Sequence, residues 1–120
     1  MIKILVADDH PIVRQGLKQI LSEYPDMTVA DEAGNGKEVL SKVAKKDYDI
    51  VLLDISMPGR NGLDILKVIK TKKSIPVVML SAKDTPKETA KAKELGADDF
   101  IPKPFRDEEL VNKIHELIGQ

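Results

Sequence analysis

Four places in this chain of 120 residues carry side chains able to do chemistry together. They are Asp8-Asp9 after "IKILVA", Asp54 closing "DIVLLD", Ser81 closing "IPVVMLS", and Lys103 just before Pro104. Each stands at the end of an apolar run, where a strand would leave the core. Three carboxylates brought into one cleft repel; two unit charges ~4 Å apart cost roughly 4 kcal/mol at an intermediate dielectric. Protonation or a cation must offset that cost. The chain has no cysteine and no paired histidines, so an oxygen-only donor set selects a hard ion, Mg²⁺ or Mn²⁺. Three aspartates are balanced by one divalent ion and the Lys103 ammonium. A balanced site with open coordination positions suits a phosphoryl group, whose oxygens need a metal, an ammonium and a hydroxyl donor. Asp54 is then the expected nucleophile, forming an aspartyl phosphate. Pro58-Gly59 and Asn61-Gly62 supply the sharp turn after it.

Positioning these groups requires a sheet. Five apolar runs recur, at 2–7, 28–33, 49–54, 75–81 and 99–103. Between them lie helical stripes: Val13, Leu17, Ile20 and Leu21; Val39, Leu40 and Val43; Leu63, Leu66 and Ile69. Leu110, Ile114, Leu117 and Ile118 repeat the pattern at the end. The segment 86–95 is the weakest helix, with Ala90, Ala92 and only one large aliphatic, Leu95. Boundary signals agree. Pro11 suits a first helical turn. Asn35 and Asn61 sit where N-caps belong. Thr85-x-x-Glu88 has capping-box spacing, and Gly96 follows Leu95 as a helix-ending glycine. Arg106 occupies the last helix's cap position, a poor residue there, helped by Asp107, Glu108 and Glu109 through the helix dipole.

Strict alternation of strand and helix implies parallel strands joined by right-handed crossovers. Runs 1, 3 and 4 are apolar at successive positions, as strands covered on both faces must be. Run 2 is more polar and run 5 short, which places both at edges. The expected fold is a doubly wound (βα)5 three-layer sandwich with a five-stranded parallel sheet, one domain over 1–120; the known flavodoxin-like fold of this pattern has strand order 2-1-3-4-5, an order that the residues alone do not give. All carboxyl ends then share one rim, and Asp8, Asp9 and Asp54 meet at its switch point with Ser81 and Lys103 beside them.

Net charge is −1, from 19 basic and 20 acidic residues, and aromatic content is 3%. Neither fits an electrostatic or base-stacking nucleic-acid binder. No run approaches the ~20 apolar residues of a membrane span, and the amino terminus does not read as a signal peptide. A soluble cytoplasmic protein is expected.

The motifs "ILVADDHPIVRQGL", "DIVLLDISMPGRNGLD", "VVMLSAKD" and "GADDFIPKPF", in this order, resemble a two-component response-regulator receiver domain along the whole chain. The resemblance implies that Asp54 accepts phosphate. It makes Asp9 a direct Mg²⁺ ligand, Asp8 a ligand through water, and the Ser56 backbone carbonyl a further ligand. Ser81 would contact a phosphoryl oxygen, Lys103 would pair with the phosphoryl group, and the Lys103–Pro104 bond would be cis. Phe100 matches the switch aromatic that turns inward with Ser81. The implied partners are a sensor histidine kinase and an output domain or downstream protein, met through the fourth helix, fifth strand and fifth helix. A phosphorylation-dependent homodimer belongs to the same picture; direct nucleic-acid or membrane binding does not. Lys83 and Ser56 would flank the pocket and tune hydrolysis. His10 reads as a helix-start residue rather than a ligand and His115 as favourable charge near a helix end; Asp9 could cap the first helix and still bind metal.

The front half resembles receivers that precede four-helix helix-turn-helix domains. The back half, "IPKPF" and "EELVNKI", resembles stand-alone receivers or those preceding winged-helix domains. A single-domain regulator, a receiver cut from a longer protein and a recombined or engineered chain without a native partner all stay open on that pattern. An interaction-only module with a dead site is a further alternative, against which the full set of site residues argues. A flavodoxin is disfavoured by the acidic "DDHPIV" loop. An aspartyl-phosphate phosphatase is disfavoured because Ser56 stands where its second aspartate would be. Any activity is limited to self-phosphorylation from phosphodonors and slow self-dephosphorylation.

Overall fold

The computed structural model describes residues 1–54, 62–81, 86–102 and 105–118. Strands and helices alternate: β1 (Ile2–Ala7), α1 (Pro11–Ser22), β2 (Met27–Ala33), α2 (Gly36–Lys45), β3 (Ile50–Asp54), α3 (Gly62–Lys72), β4 (Val77–Ser81), α4 (Pro86–Glu94), β5 (Asp99–Pro102) and α5 (Asp107–Ile118). The strands form one parallel sheet of order β2-β1-β3-β4-β5. This is the expected flavodoxin-like order, with β2 and β5 at the edges. Pro102 fits only because β5 is an edge.

Because successive strand residues point to opposite faces, the central strands feed two cores. Ile4 and Val6 of β1, Ile50 and Leu52 of β3, and Val78 and Leu80 of β4 pack with Leu17 and Leu21 of α1 and Leu110, Val111 and Ile114 of α5. Leu5 and Ala7, Val51 and Leu53, and Val77 and Met79 pack with Val39 and Val43 of α2, Ile65, Leu66 and Ile69 of α3, and Ala92 of α4. Hence α1 and α5 cover one face, and α2, α3 and α4 the other. Among the described residues, Ala92 is the only α4 side chain fully buried, with Leu95 half-buried beside it.

Several boundary signals work as chemistry predicts. Pro11 opens α1. Asn35 Oδ1 accepts from Glu38 N–H at 2.9 Å, and Glu38 Oε1 accepts from Gly34 N–H at 3.2 Å, a reciprocal cap. At α5 the Arg106 N–H donates to Glu109 Oε1 at 3.4 Å, so a glutamate three residues on satisfies the cap residue's own N–H, half of a capping box. Asn61, Pro58, Gly59 and Thr85 lie outside the described residues. His115 does more than favour a helix end: its Nε2 lies 2.7 Å from Asp26 Oδ2, tying α5 to the turn before β2.

One feature of β2 has no counterpart in the expectations. The β1–β2 register shifts between Ile4 and Leu5: Ile4 opposes Val29, but Leu5 opposes Asp31. Ala30 is the extra residue, and such a bulge reverses the facing of everything after it. Met27 and Val29 therefore join the α1/α5 core, whereas Ala33 joins the other. Asp31 turns toward α2, where its Oδ2 accepts from Tyr48 Oη at 2.6 Å and Lys46 Nζ at 3.2 Å. Glu32 turns toward α1 and pairs with Arg14 at 3.2 Å and Lys18 at 2.9 Å.

The Tyr48 hydroxyl, then Lys46, hold the Asp31 carboxyl below its ordinary value. Burial, then Asp31, pushes the Tyr48 phenol up. A depressed carboxylate stabilises the fold above its unfolded pKa of about 3.9, and that contribution is lost as pH falls through the lower folded value. Asp31→Asn is therefore expected to cost about 1 kcal/mol at pH 7 in urea unfolding. The gap to wild type should close below about pH 4. A gap that persists unchanged at pH 3 would contradict this origin.

Candidate functional site

The β1, β3 and β4 backbones carry the polar residues to one rim. Asp8 follows the last residue of β1, Asp54 is the last residue of β3, and Ser81 the last of β4. The register sets Asp54 opposite Leu80, so Ser81 lies one step beyond it on the neighbouring strand. All three are buried although polar: Asp8 and Ser81 are 0% exposed and Asp54 is 3% exposed. Asp9 is about a quarter exposed. Asp8, Asp9, His10 and Asp54 each offer one ligand atom, and these atoms lie within 4.8 Å of one another. The geometry thus brings together the aspartates that the sequence singled out.

Local bonds hold the rim. Asp8 N–H donates to Ala33 O at 3.0 Å, joining the end of β1 to β2. Asp8 Oδ1 accepts from His10 N–H at 2.9 Å and contacts His10 Nδ1 at 2.8 Å. Arg14 Nη1 donates to Asp8 O at 2.6 Å, bracing the carbonyl from the first turns of α1. His10, not Asp9, occupies the α1 cap position, and its side chain makes no capping bond. Asp9, which could have capped α1, stands one residue before that position. The His10 ring instead faces the acids, lying 3.0 Å from Asp9 Oδ1 as well. The bond to Asp8, then the charges of Asp9 and Asp8, push the His10 pKa up.

Sequence reading passed over His10 as a site residue and did not single out Arg14. The available signal was adjacency for His10 in "DDHP". For Arg14 it was a cation one helical turn beyond the acidic pair. Phe100 is half-buried on β5 opposite Met79, packed on the α2/α3/α4 core. Ser56, Lys83, Lys103 and the Lys103–Pro104 bond lie outside the described residues.

The donor set fits a hard cation. Three carboxylates dominate it, and carboxylate oxygens suit magnesium-class ions better than softer metals. Asp9 Oδ1 is buried and accepts no hydrogen bond among the described residues, since the His10 contact lacks the geometry of one. A buried carboxylate oxygen left so is one that a cation would satisfy.

A doubly wound α/β domain with an acidic pocket at the carboxyl rim of its sheet defines the class. The family model described as response regulator receiver domain matches residues 4–115, and the chain belongs to that family, the receiver domains of two-component systems. It is 38% identical over 114 residues to the nitrate/nitrite response regulator protein NarL of Escherichia coli K12, covering 94% of this chain and 53% of that protein. It is 46% identical over 105 residues to a protein-glutamate methylesterase/protein-glutamine glutaminase of Pyrococcus abyssi, covering 86% of this chain and 28% of that protein. The crystal structure of the response regulator domain of Thermotoga maritima CheB superposes with a TM-score of 0.92 at 34% identity, covering 100% of this chain and 98% of that one. The chain thus spans about half or less of the length of these two curated relatives. Among the described residues, no helix is long and apolar enough to cross a membrane.

Crowded carboxylates repel one another in the cation-free protein. Replacing one of them removes part of a repulsion worth a few kcal/mol. Asp54→Asn is expected to raise stability by ~1–2 kcal/mol in urea unfolding with a chelator present. A decrease would show that Asp54 is held by stabilising partners stronger than its repulsion.

Proposed function

We propose that this receiver is a phosphorylation-driven switch in which Asp54 accepts a phosphoryl group from the phosphohistidine of a sensor histidine kinase. The observation that carries the reading is the buried Asp54 on a rigid strand end, with Asp8 and Asp9 close enough to share one cation. An Asp54 carboxylate oxygen attacks phosphorus in line; the P–N bond breaks and its electron pair returns to the donor imidazole. Burial on β3 fixes the attacking oxygen and limits its alternative orientations. The Ser81 hydroxyl, at the end of the adjacent strand, would donate to a phosphoryl oxygen, and Lys103 would pair with another. Asp8, Asp9, Asp54 and the Ser56 carbonyl would hold Mg²⁺, with Mn²⁺ as substitute. When bound, the ion supplies Lewis-acid neutralisation of phosphoryl charge.

Phe100 serves in this reading as the switch aromatic on β5, and α4, β5 and α5 as the face met by an output domain or downstream protein. A phosphorylation-dependent homodimer would use the same change of surface. The whole chain acts as one receiver domain in the cytoplasm, contacting neither nucleic acid nor membrane directly. Hydrolysis of the aspartyl phosphate by water completes the cycle.

Incubation with acetyl phosphate, followed by intact-protein mass spectrometry, tests the proposal. Wild type is expected to gain one phosphoryl group with Mg²⁺ and none with chelator. Asp54→Asn should gain none, and Ser81→Ala should label on the order of 10-fold more slowly. Label that persists in Asp54→Asn would move the acceptor elsewhere. An unlabelled wild type would leave the interaction-only reading in its place.

A further inference from the structure

Outside the acidic pocket, one polar knot in the described structure joins four separate segments. Lys70, near the end of α3, sends its ammonium to two acceptors: Ile75 O at 2.9 Å and Asp98 Oδ2 at 2.6 Å. The same Asp98 oxygen accepts from Val77 N–H at 2.8 Å. Asp98 N–H in turn donates to Val77 O at 2.9 Å. Two side chains thereby tie α3, the connection before β4, the first residue of β4 and the turn between α4 and β5. The Lys70 side chain is 21% and the Asp98 side chain 33% exposed, and Asp98 as a residue is exposed. Charge-assisted bonds are stronger than neutral ones.

The knot sits directly beneath the end of α4. Gly96 adopts φ 105°, and the bonds Gly96 N–H to Lys93 O at 3.0 Å and Ala97 N–H to Ala92 O at 3.0 Å close the helix. This is the paired termination that a left-handed glycine allows. A side chain at residue 96 would meet the Lys70 stem, whose Cγ lies 3.2 Å from the Cβ position. The carboxyl end of α4 is therefore capped, packed on Lys70 and followed at once by the Asp98 knot. Along the helix, Pro86, Lys87, Ala90 and Lys91 are exposed, Thr89 is half-buried, and Ala92 is the one fully buried side chain among the described residues.

We infer that Lys70 and Asp98 form a latch that pins the carboxyl end of α4 and the entry to β5, making Gly96 the pivot about which the weakly held α4 moves. The latch also fixes the first residue of β4, the strand whose far end carries Ser81, and it starts β5, which carries Phe100. Lys70 and Asp98 are positioning residues, acting on these elements through the backbone they hold. The inference stands on the geometry of the latch and does not require that the protein be phosphorylated.

Amide hydrogen exchange on the whole chain tests it, with wild type, Lys70→Met, Asp98→Asn and the double variant. Asp98→Asn keeps an oxygen for Val77 N–H but removes the charge that Lys70 pairs with. Each single variant is expected to speed exchange in α4 and residues 95–98 by about tenfold or more, while β1 and β3 amides keep wild-type rates. The double variant should add little, because both changes release one interaction. Unchanged α4 rates would overturn the inference. So would an increase spread evenly over α4, β1 and β3, which marks a general stabiliser, or fully additive effects. Should a latch variant not fold, Gly96→Ala strains the same pivot and is expected to give the same local signature; wild-type α4 rates in it would equally overturn the inference.

Discussion

Repulsion among carboxylates gathered at one rim is the interaction on which the rest of this molecule turns. A parallel sheet delivers all its carboxyl ends to the same side, and here β3 ends in Asp54 while its neighbour β1 is followed at once by Asp8 and Asp9. Their burial magnifies the repulsion, because charges removed from water are screened less. The fold tolerates it locally with the His10 ring against Asp8 and Asp9 and an Arg14 brace on the Asp8 carbonyl. What remains is a preorganised concentration of negative oxygen, a site that is costly when empty of charge partners and receptive to a cation and a transferable phosphoryl group.

The two cores explain why such a rim stays in place. β1, β3 and β4 send alternate residues into an α1/α5 layer and an α2/α3/α4 layer, so neither face can slip by one residue without exposing the other's apolar set. The layers are unequal at their margins. α4 contributes one fully buried side chain among the described residues, whereas α5 contributes three. Cooperative rigidity is thus concentrated under the site, and low local stability is left at the helix beside it, where elements that change conformation are usually found.

Much of this was legible in the residues themselves. Alternating strands and helices, the edge strands and the caps at Pro11, Asn35 and Gly96 follow from periodicity and backbone chemistry, whereas the order 2-1-3-4-5, and with it the meeting of Asp8, Asp9 and Asp54, comes from the known fold that this alternation matches. These signals are local, and repeated along the chain they reinforce one another. What escaped was set by side chains reaching across the fold. Nothing in "MTVADEA" announces that Ala30 bulges and turns Asp31 and Glu32 to opposite layers; that depends on pairing with β1. The Asp26–His115 and Lys70–Asp98 pairs join residues far apart in sequence, and no spacing rule links them. His10 reads from the sequence as a helix-start residue, and it does stand at the start of α1. Only the folded loop shows its ring against the acids.

Thermal unfolding of the unmodified chain against rising MgCl₂, with NaCl at equal ionic strength as control, tests the electrostatic account most directly. A ligand that binds the folded state alone stabilises it in proportion to the logarithm of its concentration once it exceeds the dissociation constant. The account predicts that the midpoint climbs with magnesium and not with sodium. A midpoint that responds equally to both salts would contradict it, because the gathered carboxylates would then have no specific use for a divalent ion.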